Sequence, residues 1–72
     1  MIGTSIKSRR KALRVTQSQL ADLAGISVNT LYKIERGRAN PTLEILTKIA
    51  DTMGMEVCLR VRDLEKLNDA AG

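Results

Sequence analysis

Apolar side chains recur at spacings of three, four and seven residues along most of this chain, which is the period of helices with one buried face. Ile6 and Leu13 stand one such repeat apart among basic residues, with Ala12 beside them, and predict a first helix over about 4–14. A second apolar cluster at the end of residues 17–24 predicts a helix over that range. The chain is therefore expected to begin with two short helices.

Capping residues mark where the second and third helices begin and end. Thr16 and Gln19 form the Thr-x-x-Gln capping box that starts the second helix. Gly25 follows directly, as expected where a helix ends in a residue at positive φ. Ser27 is the N-cap of a third helix that runs from 28 to about 36. Two helices joined by so short a turn must cross at a steep angle.

A fourth helix follows a loop that ends in Pro41. Thr42 is its expected N-cap, and Gly54 its expected end. Its apolar residues recur at spacings of three and four: Leu43, Leu46, Ile49, Ala50 and Met53. We therefore assign residues 4–54 to one domain of four helices.

The period changes to two after Gly54, which predicts a strand over 55–61. Its apolar positions are Met55, Val57, Leu59 and Val61. The sequence contains no second strand, so we expect this one to pair with its copy in a twofold dimer. A short edge segment folded on its own domain is the alternative. Residues 62–72 are predicted to be a polar tail, at most a frayed helical turn.

The composition restricts the chemistry that the chain can perform. Its 72 residues are expected to form a single domain without a separate ligand-sensing unit. There is no His, and the lone Cys58, expected to be a free thiol, cannot form an intrachain disulfide. We predict no enzyme activity, no metal and no cofactor. No apolar run reaches the roughly 20 residues of a membrane span, so a cytoplasmic protein is expected.

Positive charge is concentrated in the first half of the chain. Residues 1–38 contain eight Lys and Arg against two Asp and Glu, whereas residues 39–72 contain four against six. The first half is therefore suited to a polyanionic partner. Besides Arg10, four of these cations lie in the predicted first helix: Lys7, Arg9, Lys11 and Arg14. They are either an ordinary solvated face or contacts to phosphate.

The third helix has one face suited to reading DNA bases. At about 100° per residue, Leu31 and Ile34 share the inner face. The opposite face contains Val28, Asn29, Tyr32, Lys33 and Arg36. In the major groove, Asn pairs with adenine, Lys donates to guanine, and Val packs on the thymine methyl group. An ordinary solvated helix face is the alternative.

The stretch TQSQLADLAGISVNTLYKIERG resembles the helix-turn-helix of the lambda-repressor-like (xenobiotic-response-element, XRE) family, and the resemblance extends over about residues 6–54. The matches have fixed spacing: Gln17, Leu20, Ala21, Gly25, Ile26, Leu31, Ile34, Glu35 and Gly37, then Pro41 and Leu-x-x-Ile-Ala in the fourth helix. An ordered set of this length is far more specific than any single short motif.

The resemblance implies that the third helix enters the major groove of double-stranded DNA. It places base contacts at Ser27, Val28, Asn29, Tyr32 and Lys33, and backbone contacts at Gln17, Arg38 and Asn40. Arg36, a cation on the outer face of the third helix, is expected to be a further phosphate contact. It also implies a structural salt bridge between Arg10 and Glu35. Val28 and Lys33 stand where phage repressors commonly have glutamine, so their operator sequences do not transfer.

The expected function is that of a sequence-specific transcriptional regulator, a dimeric repressor that reads a palindromic operator. A helix-turn-helix core followed by one amphipathic strand also resembles the HipB-like antitoxins, in which the strands of two subunits pair. The alternative is therefore an antitoxin that binds a toxin protein and regulates its own operon.

Overall fold

The computed structural model describes residues 2–58, which contain four helices. These are α1 (Ile2–Ala12), α2 (Gln17–Ala24), α3 (Val28–Glu35) and α4 (Leu43–Thr52). The mostly helical, four-helix domain predicted from the sequence is confirmed. Within residues 2–58, none of the helices has both the length and the apolar character needed to cross a bilayer.

Local hydrogen bonds fix the junction between α2 and α3. Thr16 Oγ1 accepts from the backbone N–H of Gln19 at 3.0 Å, and the Gln19 side chain accepts from the N–H of Thr16 at 2.9 Å. Gly25 has a φ of 70°, and the N–H after it donates to the carbonyl of Ala21 at 2.9 Å. Ser27 Oγ accepts from the N–H of Thr30 at 3.0 Å. The predicted capping residues therefore set both ends of the turn.

The core lies where all four helices meet. Leu20 of α2, Leu31 of α3 and Ile49 of α4 are fully buried. The remaining core residues are Ile6, Ala21, Ala24, Ile34 and Met53. α2 packs against both α3 and α4, while α1 packs against α3. The core therefore fixes α3 by its inner face and leaves its outer face in solvent.

The first helix ends earlier than the apolar pattern predicts. It stops at Ala12, and Arg14 has a φ of 58°, so the chain turns before Leu13 can join Ile6. Leu13 is 41% exposed, and Val15 packs against the core instead. The predicted apolar face with Leu13 is thus wrong, because the turn changes the direction of the chain.

The same helix begins earlier than predicted, and Gly3 explains how it fits. Gly3 is buried against the end of α3. A Cβ at this position would overlap the carbonyl oxygen of Ile34 and come within 2.8 Å of that of Glu35. Only glycine permits this close approach between the two backbones.

The fourth helix starts at its predicted cap, since Thr42 Oγ1 accepts from the N–H of Ile45 at 3.2 Å. Leu43 is nevertheless 67% exposed, so its assignment to the buried face is wrong. It occupies the first helical position, beyond the edge of the core. At the other end, Arg9 Nε donates to the carbonyl oxygen of Met53 at 3.1 Å. This contact joins α1 to the end of α4.

Residues 55–58, the first part of the predicted strand, follow α4, and Met55 packs against the core. The N–H of Met55 donates to the carbonyl of Ala50 at 2.8 Å, and its side chain packs partly against the core. Residues 55–58 form neither helix nor strand, and Val57 and the free thiol of Cys58 are exposed. Leu59 and Val61, like the polar tail at 62–72, lie outside the described residues. The paired strand therefore stays a prediction.

Candidate nucleic-acid interface

The outer face of α3 contains the side chains that the sequence assigns to base contacts. Leu31 and Ile34 are buried, whereas Val28 is 43% and Tyr32 40% exposed. Asn29, Lys33 and Arg36 are exposed as well. The structure thus brings an amide, a phenol, two cations and a branched apolar group onto one surface of a single rigid helix.

Ser27 has a different position in this set. Its hydroxyl oxygen accepts from the N–H of Thr30 at 3.0 Å and its O–H donates to Thr30 Oγ1 at 2.8 Å. The hydroxyl is therefore used in holding the first turn of α3. Its contribution to the surface is the correct start of the helix, and donation of its O–H to DNA would compete with the bond to Thr30 Oγ1.

Tyr32 and Arg36 form a stacked pair. The guanidinium carbon of Arg36 lies 5.0 Å from the centroid of the Tyr32 ring, within the range of a cation–π contact. Their spacing of four residues puts them on adjacent turns of the same face. The two residues were predicted to have separate roles, but their spacing of four residues could have indicated the contact from the sequence.

The predicted backbone-contacting residues lie on segments next to α3. Gln17 is the first residue of α2 and is half-buried, while Arg38 and Asn40 are exposed in the loop after α3. The N–H of Arg38 donates to the carbonyl of Lys33 at 2.8 Å, which fastens the start of that loop to the helix end.

A buried ion pair joins α1 to the end of α3. Arg10 Nε lies 2.8 Å from Glu35 Oε2, and Arg10 Nη2 donates to Glu35 Oε1 at 3.0 Å. Arg10 is 8% and Glu35 6% exposed. Arg10 Nη1 also donates to the carbonyl of Val15 at 3.0 Å, so one guanidinium holds α3 and the loop between α1 and α2. This bidentate geometry is the strongest form of an arginine–carboxylate contact.

Gln17 completes this cluster. Its Nε2 donates to Glu35 Oε1 at 3.0 Å, so the first residue of α2 is tied to the last residue of α3. This bond was not predicted, because residues 17 and 35 are far apart in sequence and no local pattern links the proposed backbone contact to the salt bridge.

The surroundings of Glu35 keep its carboxylate charged. Burial raises the pKa of Glu35, but hydrogen bonds from Arg10 and Gln17 and the charges of Arg10 and Lys7 outweigh that effect. The pKa of Glu35 therefore lies below its ordinary value. The hydrogen bond to Glu35 likewise raises the pKa of Arg10. Both partners are ionised at neutral pH.

The basic residues of α1 divide into different environments. Arg9 donates to the end of α4, and Lys7 stabilises the charge of Glu35. Both of these side chains are exposed, as are Lys11 and, in the turn after α1, Arg14. At least Arg9 therefore has a role within the fold. The sequence alone did not distinguish such a role from a solvated face or a phosphate contact.

A family model described as helix-turn-helix matches residues 6–59, which is most of the chain. The chain belongs to the lambda-repressor-like (XRE) helix-turn-helix family. The match extends from α1 through α4 and includes α2 and α3, the two helices joined by the short turn at Gly25. The family resemblance drawn from the sequence is thus confirmed.

Individual relatives agree with this assignment. The chain is 42% identical over 56 residues to the cryptic phage CTXphi transcriptional repressor RstR of Vibrio cholerae, covering 78% of this chain and 50% of RstR. It is 43% identical over 56 residues to the immunity repressor protein of Bacillus phage phi105, covering 78% of this chain and 39% of that repressor. This chain therefore spans half or less of the length of these two helix-turn-helix relatives.

Solved structures have the same fold. The clp gene regulator ClgR from Corynebacterium glutamicum superposes with a TM-score of 0.76 at 30% identity, covering 99% of this chain and 69% of ClgR. A chain of the SinR protein/SinI protein complex gives a TM-score of 0.74 at 30% identity, covering 99% of this chain and 78% of that chain. The four-helix fold of the described residues is thus shared with these two solved chains.

Proposed function

We propose that this helix-turn-helix domain binds double-stranded DNA with α3 in the major groove and that the protein is a dimeric transcriptional repressor of a palindromic operator. The observation that carries the proposal is the two-sided character of α3. Its inner face is buried through Leu31 and Ile34, and its outer face exposes groups that suit base edges. A helix held so firmly from one side can enter a groove without rearranging.

The outer face supplies complementary groups for direct readout. Asn29 can accept from and donate to adenine, Lys33 can donate to the two acceptors of guanine, and Val28 can pack on a thymine methyl group. Each well-formed bidentate base contact contributes about 1–3 kcal/mol of discrimination. Tyr32 adds a phenol that can hydrogen-bond at the groove edge.

Gln17, Arg36, Arg38 and Asn40 are the proposed backbone contacts. Contacts of this kind fix the register of a protein on the duplex and provide affinity for all sequences. The cations among them would release counterions, so binding should weaken steeply as salt rises. The excess of eight basic over two acidic residues in 1–38 supports this proposal.

The repressor role is supported by the two phage relatives, whose names describe a transcriptional repressor and an immunity repressor. Because this chain spans half or less of their length, the likeness supports repression without extending to their other segments. The proposed dimer has its support in the alternating pattern of 55–61. Two α3 helices related by a twofold axis would lie one DNA turn apart, on the order of 34–36 Å.

The antitoxin alternative keeps only its argument from the sequence. It depends on a C-terminal strand, whereas residues 55–58 form no strand and 59–61 lie outside the described residues. Binding of a toxin protein therefore stays a prediction.

Selection of bound duplexes from a random pool tests the main proposal. We expect the full chain to enrich a palindrome whose half-sites are about 10 base pairs apart, centre to centre. The Asn29→Ala variant, selected in parallel, should enrich a pool that is degenerate at one position in each half-site. Enrichment of no common sequence by the full chain would contradict sequence-specific binding.

A further inference from the structure

The carboxylate of Glu35 accepts three hydrogen bonds from two different side chains. Oε2 accepts from Arg10 Nε at 2.8 Å, and Oε1 accepts from Arg10 Nη2 and from Gln17 Nε2, both at 3.0 Å. The Arg10 bonds would be sufficient to neutralise a buried carboxylate. The bond from Gln17 is therefore an additional feature, and it involves a half-buried residue at the surface proposed to meet DNA.

A carboxylate fixes the orientation of an amide because it can only accept hydrogen bonds. Gln17 must turn its NH2 group, and not its carbonyl oxygen, toward Glu35. An amide nitrogen has two N–H donors, and a DNA phosphate also only accepts. One N–H of the Gln17 amide is bonded to Glu35. The second N–H has no partner among the described residues, and the bond to Glu35 fixes the direction in which it can donate.

Arg10 makes this arrangement compatible with a nearby anion. An unpaired carboxylate behind Gln17 would repel a phosphate, but the bidentate guanidinium cancels that charge, and Lys7 contributes further positive charge close by. Holding the amide in advance also removes part of the entropy cost of ordering it on binding. The bond connects the last residue of α3 with the first residue of α2. The position of α3 is thereby linked to the direction in which the Gln17 amide can donate to the DNA backbone.

We infer that Glu35 is a positioning residue for DNA, which holds the Gln17 amide so that its free N–H bonds a backbone phosphate. This inference rests on the proposed function, in which Gln17 contacts the backbone. It gives the buried Arg10–Glu35 pair a role in binding as well as in the fold.

A scan with neutral linkages tests the inference in the full chain. A single methylphosphonate is placed in turn at each phosphate of the selected operator, and the Kd is compared with that of the unmodified duplex. For the wild-type protein we expect several sensitive linkages in each half-site, one of which depends on Gln17 and lowers affinity on the order of fivefold, the effect of one hydrogen bond. Gln17→Ala should abolish that sensitivity, and Ser18→Ala, the exposed neighbour, should retain it.

The deciding variant is the double substitution Arg10→Met/Glu35→Met. Replacing a buried ion pair by apolar side chains of similar volume often preserves folding, and the thermal melting of the variant is measured before binding. We expect the variant to lose sensitivity at the Gln17 linkage while other linkages keep theirs. Full sensitivity at that linkage would overturn the positioning role and leave the Gln17 contact intact. Absence of any Gln17-dependent linkage in the wild type would overturn both, whereas specific binding is judged independently on the unmodified duplex.

A measurement on the wild type alone covers the case in which the double variant does not fold. The two side-chain amide protons of Gln17 are followed by NMR during titration with the operator. We expect one proton to shift strongly as it meets phosphate, while the proton bound to Glu35 changes little. Equal movement of both protons would mean that the bond to Glu35 is released on binding, contrary to the inference.

Discussion

The guanidinium of Arg36 lies over the ring of Tyr32, 5.0 Å from its centroid, on the exposed face of α3. Both side chains belong to the surface proposed to meet DNA. The ring restricts a long, flexible cation to one side of the helix, so the two residues act as one unit rather than as separate contacts.

Substitution of Tyr32 should separate the two parts of this unit. Tyr32→Phe keeps the ring and removes only the hydroxyl, so binding to random duplexes should be unchanged. Tyr32→Leu should weaken binding to all duplexes by at most about 0.5–1 kcal/mol, because Arg36 loses the ring that orders its side chain before binding. Fluorescence anisotropy on operator and random duplexes measures both effects. Because the ring acts through Arg36, Tyr32→Leu should have no further effect on random duplexes in an Arg36→Ala background.

Asn29 and Arg38 should differ in what they contribute to affinity. Asn29→Ala is expected to cost about 1–3 kcal/mol on the operator and almost nothing on random DNA, because it removes a base contact. Arg38→Ala should weaken binding to both duplexes and reduce the slope of log K against log salt by about one. Equal losses on the two duplexes for Asn29→Ala would remove it from the base-contacting set.

The sign of the stability change in Gly3→Ala distinguishes helix propensity from steric overlap. Helix propensity alone predicts that Gly3→Ala stabilises the fold by about 1 kcal/mol. The overlap of a new Cβ with the carbonyl oxygens of Ile34 and Glu35 predicts instead a net loss of about 1–3 kcal/mol. Chemical unfolding decides between them, with the exposed Thr4→Ala as the matched control. A stabilised Gly3→Ala variant would show that α1 can move away from α3.

The buried ion pair should make stability depend on acid pH. Because the pKa of Glu35 is lowered in the folded state, its contribution is fully present above the unfolded value of about 4.3 and is lost as pH falls through the folded value. We expect the free energy of unfolding to decrease more between about pH 6 and about pH 3 in the wild type than in Arg10→Met/Glu35→Met. Urea unfolding at the two pH values provides the comparison. Parallel decreases would assign the acid sensitivity to other carboxylates.

The proposed dimer can be tested at residues 56 and 57. In a paired strand, Val57 would face the helical cores and Glu56 would face away. Val57→Asp should therefore shift the protein toward monomer and weaken operator binding, whereas Glu56→Ala should change neither property. Light scattering gives the mass in solution. A Val57→Asp protein that stays dimeric and binds as before would argue against pairing through 55–61.

Features determined by neighbours in sequence were predictable. Thr16 and Ser27 cap their helices through residues three positions away, so the motif TxxQ and a single Ser were enough to place the start of α2 and α3. The faces of α3 were predictable for the same reason, because the angle between Leu31 and Tyr32 depends only on helical geometry.

Features determined by contacts between distant segments were not predictable. An apolar residue near a helix end gives the same signal whether it is buried or exposed, which is why Leu13 and Leu43 were assigned wrongly. No local pattern shows that Gly3 touches α3 or that Gln17 reaches Glu35. The side chains of the candidate site were therefore predictable from the sequence, whereas the hydrogen bonds between them were not.

The close packing of α1 on α3 also has a practical consequence for how the protein is handled in the laboratory. Since Gly3 is buried against the backbone of Ile34 and Glu35, an affinity tag fused ahead of residue 2 would begin close to the end of α3. A polyhistidine tag placed there would add protonatable groups next to the proposed DNA backbone contacts and distort apparent affinities.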